Sequence, residues 1–385
     1  MIWFARGCDM RPASNAFTEA VATAQEALND PLQSLTDEML MTILLFDLYD
    51  TLVLHYAPVP IDYGKHKHGA LAMIEHRGSV NLATSRGRAL IGAVRHTVLP
   101  YMLSTRQPFP ERLDHLFGHP STNATRVMSL DLISVYLTRV QSRLWTLRRE
   151  TPLDESPLAR RACYMEIIEE ALRIEGLLIN WKASITDPDW LPEYIPHESV
   201  IESIREAGFY GSHCSIWGDL TFGSTWILFS VRYLLTLQVI RQALADEPSL
   251  LLDPEQRELL TGADECVQQL VDSMCEAIPF HLGDTILPKS PIHSVTTNFP
   301  SKWKVDPQTG RSIRVPGVRS NHQARAAASG GWILFPHLVN LWRLAEPEDD
   351  AVPIILREGQ LDWIKEQVRR LQRIFLFCEP VWFKR

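Results

Sequence analysis

Apolar residues recur at helical spacing in one segment of this chain after another, and almost nowhere with the alternation of a strand. After Thr36-Asp37-Glu38, a good place for a helix to begin, Met39, Ile43, Phe46, Leu48 and Leu52 fall mostly on one side through about His55. Further amphipathic runs cover roughly 69–76, 82–104, 127–149, 157–182, 211–245, 256–278, 329–345 and 357–378. Pro, Gly, Asp and Asn gather between them, where helices stop. No hairpin dipeptide lies between β-branched runs and no internal repeat is present. The pattern predicts an all-α fold, a single domain of antiparallel helices over residues 1–385.

Composition narrows the class. With 45% apolar and 22% charged residues, a chain of 385 residues is an ordinary globular protein. A net charge of −8 argues against coating nucleic acid. Cys8, Cys163, Cys214, Cys266, Cys275 and Cys378 form no C-x-x-C pair, which predicts reduced thiols and a cytoplasmic setting. "MIWFARGCDMRP" at the start lacks the sustained apolar stretch of a secretory signal. The most apolar run, "STWILFSVRYLLTLQVI" (224–240), is interrupted by Arg232 and Gln238, so it reads as a core helix and no membrane span is expected.

One segment breaks the pattern. Residues 285–325 hold five prolines, no helical period, and Lys289, Lys302, Lys304, Arg311, Arg314, Arg319 and Arg325 against Asp306 alone. Seven minus one gives +6 here and therefore −14 for the rest of the chain. A loop of this length inside a globular chain is uncommon unless it is functional. It reads either as a site for a polyanionic ligand, which clustered cations concentrate, or as a basic surface loop.

Some carboxylates and rings stand out. Asp219 lies among Trp217, Phe222, Trp226 and Phe229, between Gly218 and Gly223. An acid in such surroundings is costly unless it is paired or binds a metal, so Asp219 marks either a surface break or a ligand. The four aromatics serve as cavity wall or as plain core. Arg232 follows at helical spacing and reads as facing either a phosphate or a buried carboxylate. On the helix expected over 262–278, Val267, Leu270, Val271, Met274 and Ile278 form a core stripe, opposite Glu265, Gln269, Asp272 and Glu276. Glu276 belongs to a solvated face or is a metal ligand, with Asp284 just beyond the helix as another. His66 and His68 form a weak metal signal in an exposed loop, and Asp349-Asp350 lies in a proline-flanked loop.

Several phrases together resemble the C-terminal helical domain of fungal zinc-cluster transcription factors: "HGALAMIEHRG" (68–78), "EALRIEGLLINWKAS" (170–184), "CEAIPFHLGD" (275–284) and "SGGWILFPHLVNLWRLA" (329–345). They stand in that family's order and span most of the chain. The resemblance implies the helical fold and a structural role for His281, but the paired C-x-x-C units of the zinc cluster are missing. The lysine in "LPKS", Lys289, is similar to an essential lysine of a small group of fungal sesquiterpene cyclases that form humulene without the usual terpene-synthase motifs.

That second resemblance implies an Mg²⁺-dependent cyclase that ionises farnesyl diphosphate. Lys289, with Arg232 and Arg325, would hold the diphosphate. Asp219, Glu276 and Asp284 would hold magnesium, and Trp217, Phe222, Trp226 and Phe229 would line the cavity. Such chemistry needs fixed positive charge for the leaving group and a dry, aromatic surround for the carbocation. The rival expectation is a ligand-sensing or regulatory module related to the transcription factors, without their DNA-binding half.

Overall fold

The computed structural model describes residues 11–56, 64–117, 126–150, 156–202, 204–205, 210–285, 303–305, 312–314, 322–347 and 349–378. The fold is all-α, as the apolar periodicity dictates. Contacts divide the chain into two compact units, Met1–Thr151 with Gln372–Arg385, and Pro152–Leu371. No linker-like composition in the sequence announces this division.

The first unit contains α1 (Arg11–Leu28), α2 (Asp37–Tyr56), α3 (Lys65–Arg77), α4 (Val80–Ala83), α5 (Ser85–Thr105), α6 (Asp114–Phe117) and α7 (Arg126–Glu150). Leu40 of α2, Ile74 of α3, Val94, Val98 and Leu99 of α5 and Val135 of α7 share one core with Phe109 and Leu113. Each fully buried aliphatic side chain contributes about 1.5–3 kcal/mol. Thr84 caps α5 by accepting from the Gly87 N–H at 2.9 Å.

Helix α2 departs from the sequence expectation. Leu48 is about half exposed, whereas Asp47 and Asp50 are buried. Lys67 of α3, itself buried, donates to Asp47, and His66 sits 3.4 Å from Asp50. His66 therefore belongs to a helix facing a buried acid rather than to an exposed loop. The ion pairs from α3 settle which face of α2 turns inward, because its apolar residues surround it nearly uniformly.

The second unit is built on α8 (Pro157–Ala183), α9 (Leu220–Asp246) and α10 (Pro254–Glu276). Twenty of the 27 residues of α9 are buried, which makes it the central helix of this unit, packed on α8 and α10. Both α2 and α9 are long and apolar enough to cross a membrane; 78% of the apolar window of α9 is buried inside the protein. After α10, Pro279 sits in the first turn of a separate short helix, α11 (Ile278–Leu282), ended by Gly283 at φ 78°. Later come α12 (His322–Arg325), a π-turn over Ala326–Gly330, α13 (Gly331–Ala345) and α14 (Gln360–Phe375).

Two short antiparallel ribbons appear where no strand was expected. β1 (Glu193–Pro196) pairs with β2 (His213–Ile216), Ile195 opposite Cys214, and β3 (Trp303–Val305) pairs with β4 (Ser312–Arg314). The run expected as helix from 211 thus begins as β2, and α9 starts only at Leu220. Strands this short carry too little alternation to be read from sequence.

Candidate functional site

The start of α9 fixes the first candidate. Asp219 is the N-cap, its Oδ1 accepting from the Thr221 N–H at 2.7 Å. Only 4% of Asp219 is exposed, and its Oδ2 accepts from the Arg325 guanidinium. An N-cap carboxylate is favoured by the helix dipole, and the arginine compensates the charge that burial would otherwise penalise. Arg325, the last residue of the basic segment, is thereby tied to the head of the central helix of the unit.

Around this pair the backbone closes tightly on α11. A Cβ on Gly330 would lie 1.8 Å from the His281 carbonyl oxygen, so only glycine permits the π-turn to reach α11. A Cβ on Gly223 would come within 2.9 Å of the Trp217 ring and 3.1 Å of His281 Nε2. His281 is fully buried; its Nδ1–H donates to the Ala277 carbonyl at 2.8 Å, and its Nε2 has no hydrogen-bond partner among the described residues. Burial, with His322 adding repulsion, pushes the His281 imidazole down to about 4, so it is neutral at physiological pH. His322 stacks on Phe280 and donates from Nε2 to its carbonyl at 2.7 Å. His337 of α13 is likewise held low, at about 3, by burial and then by the Arg232 charge.

Glu276 and Asp284 flank α11. Glu276 is half-buried, with His213 Nε2 at 3.2 Å from Oε1, and burial raises its carboxyl above the usual range. Asp284 is buried and accepts both contacts of the Arg370 guanidinium, at 2.9 and 2.8 Å. Burial pushes its carboxyl up, against the arginine, which pulls it down. Cys214 is raised to about 12, first by burial; the Phe280 backbone opposes the shift, while Glu276 and Asp284 add to it. These two acids therefore share the surroundings of Cys214, while Asp219 shares those of Arg325 and His322. Thr285, which opens the basic segment, bridges Val200.

The aromatic residues of α9 separate into different surroundings. Phe222 stacks on Trp190 at 4.2 Å, and Phe229 stacks on Trp181 at 5.2 Å. Trp226 meets Trp181 edge-on and donates its indole N–H to the Trp190 carbonyl. Trp217 instead packs on Phe280 and His281. Phe222, Trp226 and Phe229 thus form one aromatic stripe with rings from α8 and the turn after it. Arg232, three residues beyond Phe229, is 3% exposed.

Lys289 lies outside the described residues. Among the described residues, no three His, Cys, Asp or Glu side chains are placed to share a metal ion. Asp219, Glu276 and Asp284 are instead each engaged by a different basic side chain. Sequence reading missed those partners, His213 and Arg370, and it also missed Trp181, Trp190 and His337. The partners lie far along the chain, 106 residues for Asp219–Arg325 and 86 for Asp284–Arg370, beyond any local spacing rule. No family model, curated protein or solved structure matches the chain.

Proposed function

We propose that the chain is a sesquiterpene cyclase that converts farnesyl diphosphate to humulene and diphosphate. The observation that carries this reading is the anchoring of the basic segment. Thr285 at one end and Arg325 at the other are both tied into the second unit, the latter at the head of the aromatic helix α9. Arg325, a cation for a diphosphate, and the rings that would face a carbocation belong to the same end of the unit, which supports this reading. In the reaction the allylic C–O bond breaks and its electron pair leaves on diphosphate. The C1 cation closes on C11, and loss of a proton gives the triene hydrocarbon. Lys289, Arg325 and Arg232 would stabilise the leaving charge, as fixed donors do. Aromatic faces such as Phe222, Trp226 and Phe229 would stabilise the cation while water is excluded.

Magnesium is the cofactor this reading implies, but Asp219, Glu276 and Asp284 do not fit it as a set, because Asp219 and Asp284 each pair with an arginine, Glu276 faces His213, and among the described residues no three such side chains are placed to share an ion. No step is derived through the ion. A specific observation also supports the rival reading, a ligand-sensing module: the acids are paired and the α9 rings already pack on other rings. Incubating the full chain with farnesyl diphosphate, with and without Mg²⁺, separates the two. The cyclase reading expects a volatile hydrocarbon and released diphosphate; release of neither sinks it.

A further inference from the structure

We infer that Ser212, His213 and Glu276 form the nucleophile, base and orienting acid of an acyl-transfer site for uncharged aryl esters, an activity separate from the diphosphate chemistry proposed above. All three residues belong to the second unit. Ser212 Oγ lies 3.3 Å from His213 Nδ1, and His213 Nε2 lies 3.2 Å from Glu276 Oε1. A hydroxyl within reach of a base that is itself oriented by a third group is the arrangement that activates a nucleophile. The donors and acceptors fix the direction of the row. An ionised Glu276 only accepts, so the imidazole proton facing it sits on Nε2. Nδ1 is then the acceptor, and the Ser212 hydroxyl donates to it. The two ring nitrogens are exchanged relative to the Ser-His-Asp triad, but each role is filled.

The local structure holds this row in place. Gly211, at φ 81°, makes the turn into β2, and a Cβ on it would lie 3.8 Å from Glu276 Oε1. The Ser212 carbonyl accepts from the His197 N–H at 3.2 Å, which fixes the backbone while the hydroxyl stays exposed. The Glu276 side chain is only 14% exposed, so its hold on His213 competes weakly with water. Tyr194 of β1 meets the His213 ring edge-on at 5.2 Å and leaves much of its own ring exposed.

In the reaction Ser212 Oγ attacks the ester carbonyl carbon and its proton passes to His213 Nδ1. The bond from that carbon to the aryl oxygen breaks, and the leaving oxygen takes the proton from Nδ1. Water then attacks the acyl-serine by the same route, releasing the acid and restoring the hydroxyl. Aryl esters suit an exposed serine, because a stable leaving group asks less of an oxyanion hole. The Tyr194 ring offers a surface for the aryl group, and the charges of Glu276 and its neighbour Asp272 disfavour an anionic ester.

Hydrolysis of para-nitrophenyl acetate by the full chain, with fluorophosphonate labelling followed by mass spectrometry, tests the assignment. The expected result is a single covalent adduct on Ser212 and release of nitrophenol above the buffer rate. Ser212→Ala should abolish the adduct, and both it and His213→Gln should lower release roughly 10²–10⁴-fold with little change in Tm. Glu276→Gln keeps the shape but can donate to Nε2, which favours the wrong tautomer. As Glu276 is a positioning residue, that variant should lower kcat at least about 10²-fold with KM and Tm unchanged, a split that a merely structural role would not produce. No adduct, an adduct on another residue, or Ser212→Ala hydrolysing the ester as fast as the unaltered chain overturns the inference. None of these outcomes bears on turnover of farnesyl diphosphate, so the two activities are tested independently.

Discussion

Acid should destabilise this protein through His281 before most of its carboxylates are protonated. The ring is fully buried, and its folded value of about 4 lies below the ordinary 6.5. Between those values the unfolded chain binds the proton and the folded one does not, so stability falls as pH drops from about 6.5 to 4 and is unaffected above. The whole gap amounts to about 3 kcal/mol, of which about 2 kcal/mol is lost between pH 7.5 and 5. Against a typical domain stability of about 5–15 kcal/mol this is easily measured. His281→Asn retains an N–H near the position that donates to the Ala277 carbonyl, but it cannot titrate. Urea unfolding of both proteins at pH 7.5, 6 and 5 gives the slopes to compare. Whatever the variant costs at pH 7.5, its further loss on acidification should be smaller by about 2 kcal/mol. Parallel pH profiles would refute the assignment, and with it the neutral, buried imidazole.

Other substitutions probe the packing and the proposed chemistry. Gly330→Ala should destabilise by at least about 1–3 kcal/mol because the added methyl meets the His281 carbonyl, whereas Gly176→Ala in α8, with open space around it, should stabilise by about 0.5–1 kcal/mol; thermal melts of the two decide. Lys67→Met should cost about 3–5 kcal/mol by leaving Asp47 buried without its cation, and Asp47→Leu in the same chain should recover most of it in urea melts. Under the cyclase reading, Lys289→Ala should lower hydrocarbon release roughly 10²–10³-fold with little change in Tm, while Lys65→Ala, exposed at the start of α3, should change neither.

The fold was legible wherever a helix had one apolar stripe and one polar face. α10 shows this best: Val267, Leu270, Val271 and Met274 are buried, while Glu265 and Gln269 on the other face are exposed. The reading failed where charge goes inward. In α2, Asp47 and Asp50 took the core side and Leu48 the solvent side because Lys67 and His66 wait on α3. α1 was missed altogether: Arg11–Leu28 is alanine-rich, with few large apolar side chains to mark a period. At the candidate site the unusual residues were legible, since an acid between Trp217 and Phe222 is conspicuous, but their partners were not. Asp219 reads as a possible metal ligand only while Arg325 is unknown, and nothing in a spacing rule links positions 106 apart.

The Asp219–Arg325 pair is also where the two functional readings diverge physically. Its partners are unequally held. Asp219 is 4% exposed and keeps the Thr221 N–H whether or not the arginine stays, whereas the Arg325 side chain retains 15% exposure. The pair can therefore open from the arginine side without orphaning the acid, since the N-cap bond and the positive end of α9 still compensate the carboxylate. A diphosphate, with more charge than one carboxylate, can compete for that guanidinium at little cost to the fold. In a sensor that binds an uncharged ligand nothing would draw Arg325 away, and the pair would remain a brace between α12 and α9. Salt separates the cases less well than an anion series does: a brace this buried is only weakly screened, whereas exchange of partners at Arg325 depends on the charge and geometry of the incoming anion.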